Sequence, residues 1–160
     1  MPKLKAYLTT WEQEFKTTVR VFESYPSDRL NYRPHEISKT ALELMWAIAS
    51  EEGDVLEGCL RGKITYHPAK PAKTKEALLR QYKKTHAALV KKVKRAGEAL
   101  FAKTIRFYVA KDTIGDINVG DMLWFLLHDQ IHHRGQLSVY LRLVGAKVPS
   151  IYGPSADEPW

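Results

Sequence analysis

Three imidazoles and a carboxylate fall within six consecutive positions of one apolar stretch, at His128, Asp129, His132 and His133, with Arg134, Gly135 and Gln136 directly after them. Residues four apart share a face of a helix, so the stretch offers two pairs suited to a divalent metal: His128 with His132, and Asp129 with His133. Imidazole nitrogen and carboxylate oxygen both ligate zinc or nickel. Setting so many polar groups among leucines and aromatics costs free energy unless they find partners. A bound cation would supply one, and so would a hydrogen-bond network; on the residues alone both readings stand.

The elements that must position these groups are helical. Leu4, Tyr7, Leu8, Trp11, Phe15, Val19 and Phe22 recur in steps of three and four, with Pro2 suited to a helix start and Pro26 to its end. Thr40 and Glu43 form a capping-box pattern that opens a second helix carrying Leu44, Ile48, Val55 and Leu56. Residues 62–73, with Pro68 and Pro71, read as a loop, and Thr74 can cap a third helix through Leu78, Tyr82, Leu89, Val93 and Leu100. From Lys103 to Ile117 the signal is mixed, since Ile105, Phe107 and Val109 alternate like a short strand. Asn118 or Asp121 begins a fourth helix that runs to Gly145. The proline-bearing tail carries Ile151, Tyr152 and Trp160 and is expected to pack back on the helices.

Four amphipathic segments predict an all-α protein, a four-helix bundle with a long loop between the third and fourth helices. With 160 residues, 44% of them hydrophobic and 27% charged, the chain reads as one globular domain over 1–160. No apolar run is long enough to span a bilayer, the N-terminus lacks a signal-peptide block, and the single cysteine, Cys59, suits a reducing compartment, so the expected location is the cytoplasm. The net charge of +7 is concentrated between Lys70 and Lys103. That strip, with only Tyr82 as a stacking aromatic, reads as a solvated helix face rather than a nucleic-acid surface.

On the fourth helix, Met122, Leu126, Asp129, His133, Gln136 and Tyr140 form one line and Phe125, His128, His132, Val139 and Leu143 another. Both are expected to be at least partly buried. Gly135, a poor helix former, suggests close approach of another backbone or a ligand. His132-His133-Arg134-Gly135-Gln136, followed by Tyr140-Leu141-Arg142-Leu143 and Gly145, resembles the signature of the DinB/YfiT superfamily. Leu30-Asn31-Tyr32-Arg33-Pro34, Glu43-Leu44-Met45-Trp46-Ala47-Ile48 and the tail from Val148 to Pro154 add to the resemblance, which covers nearly the whole chain.

That resemblance implies a four-helix bundle, often a homodimer, with a divalent metal held by three histidines, one from the second helix and two from the fourth. Here the last of these falls on His133, its partner four residues earlier on Asp129, and the second-helix position on Ala47, which has no ligand atom. Glu51, one turn after Ala47, is a substitute ligand, and His128 or His132 could serve after a small change of register. Arg134 and Gln136 are candidate substrate contacts, or fix the histidine tautomers.

Relatives of this type imply a metal-dependent transferase or isomerase that joins a low-molecular-weight thiol, such as bacillithiol or mycothiol, to a small electrophile. The alternative is a non-catalytic, stress-associated dimeric binding protein with a structural His/Asp cluster. Damage-inducible, as the family naming has it, describes expression rather than mechanism. His35, His67 and His86 read as surface residues, Cys59 as a core residue, and Glu51-Glu52-Gly53-Asp54 as a solvated turn.

Overall fold

Local capping chemistry sets the helix boundaries. The computed structural model describes residues 3–64 and 72–159, within which the chain forms α1 (Lys3–Ser24), α2 (Ala41–Arg61), α3 (Lys75–Ala96) and α4 (Val119–Leu143). α1 stops just before Tyr25-Pro26, because a residue preceding proline is pushed out of the helical region. At the start of α2 the Thr40 hydroxyl accepts from the Glu43 N–H at 3.2 Å while the Glu43 carboxylate accepts from the Thr40 N–H at 2.7 Å, the reciprocal capping box. Thr74 accepts from the Ala77 N–H to open α3, and Asn118 accepts from the Gly120 and Asp121 N–H groups to open α4. α2 ends at Gly62 in the left-handed region (φ 83°). A Cβ on Gly58 would stand 2.6 Å from the Ile64 Cα, so the chain leaving α2 can lie this close only over a glycine.

α1 packs against α3 and α4, and α2 packs against the same two helices, which sets α1 and α2 diagonally across a four-helix bundle. The long connection expected between α3 and α4 is present, and part of it is strand, as the alternation of Ile105 and Phe107 suggested. It contains a 3-10 turn, Glu98–Ala102, and an antiparallel hairpin of β1 (Thr104–Ala110) and β2 (Thr113–Asn118), with Ile105 opposite Ile117 and Phe107 opposite Gly115. Ile105 is buried and Phe107 half-buried, as their alternation demands; Val109 points out, beside the register shift between Tyr108 and Ala110. Pro2, His67, Pro68, Pro71 and Trp160 lie outside the described residues.

The buried side chains fall into two apolar clusters separated by a polar layer. One cluster includes Tyr7, Trp11, Leu56, Val93 and Leu123; the other includes Phe22, Leu44, Met45, Leu78 and Leu141. Between them each helix contributes buried polar residues: Glu14 and Thr18 from α1, Glu52 from α2, His86 from α3, and Gln130 and Arg134 from α4. Two sequence expectations are corrected here. His86 is 3% exposed and Glu52 0% exposed, neither of them on a solvated surface. Glu52 accepts from Trp11 Nε1 at 3.1 Å, Tyr82 Oη at 3.4 Å and Gln130 Nε2 at 3.4 Å, and pairs with His86 Nδ1 at 2.8 Å. This set of partners compensates the desolvation of the carboxylate.

The C-terminal segment folds back as expected. Glu158 pairs with Arg20 of α1 at 2.6 Å, and Asp157 accepts from the Val148 N–H at 2.9 Å. Cys59 is fully buried, and burial pushes its thiol up to about 12, so it is an inert core residue. Among the described residues no helix is long and apolar enough to cross a membrane.

Candidate metal centre

α4 carries Asp129 and His133 one turn apart, and the packing of α2 against α4 brings Glu51 to them. One ligand atom from each of Glu51, Asp129 and His133 lies within 4.8 Å of the others. His133 Nε2 stands 3.4 Å from Asp129 Oδ2. Two donors bonded to one zinc in a tetrahedron stand roughly 3.4 Å apart, so this pair already has the right spacing.

Charge is crowded here. Burial, followed by repulsion from Asp129, raises the Glu51 carboxyl to about 7, with Lys39 opposing the shift. Glu51 Oε2 is buried and, as a carboxylate oxygen beside another carboxylate, has no donor. A proton held between Glu51 and Asp129, a water or a cation would each give it a partner. The donor set of two carboxylate oxygens and one imidazole nitrogen fits zinc or nickel, and Glu51 brings the count of candidate protein ligands to three despite Ala47. Ala47 is 8% exposed, one turn before Glu51 on α2, and contributes a methyl group only.

Gln136 orients the imidazole. Its Oε1 lies 3.2 Å from His133 Nδ1 and its Nε2 lies 3.1 Å from His132 Nε2. With the amide oriented this way, its N–H₂ donates to His132, and His133 donates from Nδ1 and keeps its Nε2 lone pair toward Asp129. Other candidates are placed elsewhere. His128 and His132 are exposed on the outer side of α4, as are Phe125, Val139 and Leu143, so the expectation that this line is partly buried is corrected. Gly135 is exposed, and a Cβ there would meet nothing within 4 Å, so the expected close approach is absent among the described residues.

Arg134, expected as a substrate contact, is 1% exposed and does not join the cluster. Its Nη2 is 2.6 Å from Glu14 Oε2 and 2.6 Å from Tyr152 Oη, while Nη1 donates to Glu14 O at 3.1 Å and to Thr18 Oγ1 at 3.3 Å. It ties α4 to α1 and to the tail, and so holds the helix that carries Asp129 and His133 in register. Phe107, which sequence reasoning did not connect with the site, reaches its edge from the hairpin.

The model of the DinB family matches residues 1–159. The chain belongs to the DinB family. Its fold matches that of a DinB-like protein from Bacillus cereus ATCC 10987 with a TM-score of 0.80 at 20% identity, covering 95% of this chain and 100% of that one. A DinB-like protein of Bacillus subtilis, YjoA, superposes with a TM-score of 0.74 at 19% identity over 90% of this chain and 95% of its own. The uncharacterised protein YrdA of Bacillus subtilis (strain 168) is 51% identical over 39 residues, a match covering 24% of this chain and 23% of YrdA.

Proposed function

We propose that this DinB-family protein holds a divalent metal, zinc or nickel, at Glu51, Asp129 and His133, and uses the site to transfer a low-molecular-weight thiol of the bacillithiol or mycothiol type to a small electrophile. The observation that carries this reading is the buried Glu51 carboxylate oxygen with no donor, facing a second carboxylate and an imidazole. Natural proteins keep such a group where a proton, a water or an ion completes it, and a second carboxylate and an imidazole beside it favour the ion.

A cation bound there supplies positive charge that favours a thiolate, the reactive nucleophile, over its thiol. The chain's own residues do the rest. Gln136 holds His133 in the tautomer that presents Nε2, and Arg134 fixes α4 against α1. The polar layer around Glu52 sets the register of α2, so that Glu51 meets α4. In the reaction the thiol sulfur forms a bond to the electrophilic carbon, the leaving group departs with its electron pair, and the thiol proton passes to solvent. The exposed line of Val139 and Leu143 on α4 is the face we assign to a homodimer.

The test is thiol consumption by the metal-loaded protein with a panel of low-molecular-weight thiols and a chloronitroarene. The reading predicts turnover above the uncatalysed rate that is lost with chelator and in the Asp129→Ala/His133→Ala variant. A protein that binds the metal yet consumes no thiol across the panel supports the alternative, a non-catalytic binding protein of the same fold.

A further inference from the structure

A cavity of about 180 Å³ opens beside the carboxylates of the candidate centre. Val55 of α2 and Met122 and Leu126 of α4 form its walls, Phe107 of β1 closes one side, and Phe125 stands at the mouth. Glu51 and Asp129 are the polar groups at its edge. We infer that this cavity is the subsite for the electrophile, seating an uncharged apolar body of about one aromatic ring with a short polar arm directed at Glu51 and Asp129. This inference rests on the proposed site as the place of reaction and names the class of molecule it admits.

Size and chemistry both point to that occupant. An apolar cavity of roughly 150 Å³ is known to accept benzene, so this space takes one ring and a substituent of one or two heavy atoms. The walls offer no donor or acceptor, so a polyhydroxylated or charged body would be desolvated without compensation. Two carboxylates at the edge disfavour an anion and offer acceptors to a hydroxyl or thiol. Phe125 is 63% exposed, an unusual position for so large an apolar side chain, and a ring seated in the cavity would cover it. Phe107 is the specificity-determining residue, because it reaches the cavity from the hairpin while the bundle helices supply the other walls.

The experiment is fluorine NMR of para-fluorobenzyl alcohol titrated into the full chain, once with chelator and once with zinc. Saturable binding in both conditions is expected, weaker by about tenfold or more in Val55→Phe, which fills the space. Phe107→Ala, at a half-buried hairpin residue that packs against the edge of the core, is expected to accept a fluoronaphthyl methanol that the wild type rejects. No saturable binding by the wild type, or equal binding of both probes by wild type and Phe107→Ala, would overturn the inference. Zinc binding without ring binding sinks the subsite and leaves the metal reading standing. Ring binding without zinc binding supports the subsite and removes the metal.

Discussion

Glu51 is the residue on which the chemistry turns. Its neighbours on α2 are ordinary helix residues, and the sequence alone could offer it only as a substitute ligand one turn after Ala47. What it lacked was the exact rotation of α2 against α4, since a register change of one residue moves a side chain about 100° around the axis. The consequence is measurable. The folded-state carboxyl is raised to about 7 from an ordinary value of 4.5, so its contribution to stability is fully present below about 4.5 and is lost as pH rises through 7. The metal-free wild type is expected to lose stability across that window relative to Glu51→Gln, read as a falling urea midpoint; parallel curves would contradict it. Metal competes with the same proton, so zinc affinity should rise over the same window.

At the scale of elements, the polar layer explains why the bundle has one register. Its members were legible in part. Met45, Ile48, Glu52, Leu56 and Cys59 step along α2 by three and four, and Leu78, Tyr82, His86, Leu89 and Val93 do so along α3, so both polar residues lie on buried stripes. Type-based expectation, which sets Glu and His on surfaces, outweighed the periodicity. The caps at Thr40, Thr74 and Asn118 were readable because they depend on neighbouring residues alone. The hairpin was half readable: strand-like alternation showed, but the turn uses Asp112 at φ 58° where glycine or asparagine is the stronger signal, and its placement over the site depends on tertiary contact. Glu52→Ala takes the acceptor from His86 Nδ1, Trp11 and Tyr82, leaves Gln130 only the Ile48 carbonyl, and is expected to destabilise the fold by about 3–5 kcal/mol in urea unfolding. Glu52→Gln, which keeps one acceptor oxygen, should cost less; a cost near zero for the alanine variant would contradict a structural role for the layer.

Across the whole molecule, charge and apolar surface fall on different faces. The lysines of α3 from Lys83 to Lys94 are exposed, and Lys83 and Lys92 pair with Glu23 and Glu57, which fits a solvated face. The outer side of α4 instead exposes Val139 and Leu143, at 57% and 55%. If that face joins two copies, sedimentation should give a dimer for the wild type and a monomer for Val139→Glu/Leu143→Glu; a monomeric wild type would remove the assignment. The family's fold and the helix pattern were both visible in the sequence, because they repeat over the whole chain. The ligand set was only partly so, because it joins residues of two helices far apart in the chain.

The central claim, that Glu51, Asp129 and His133 hold a metal, is tested most directly by elemental analysis of untagged protein purified without chelator, followed by zinc and nickel titration. The account predicts close to one ion per chain in the wild type and none in Asp129→Ala/His133→Ala. A wild type that takes up neither ion at neutral pH would contradict it, and would leave the cluster as a proton-sharing carboxylate pair.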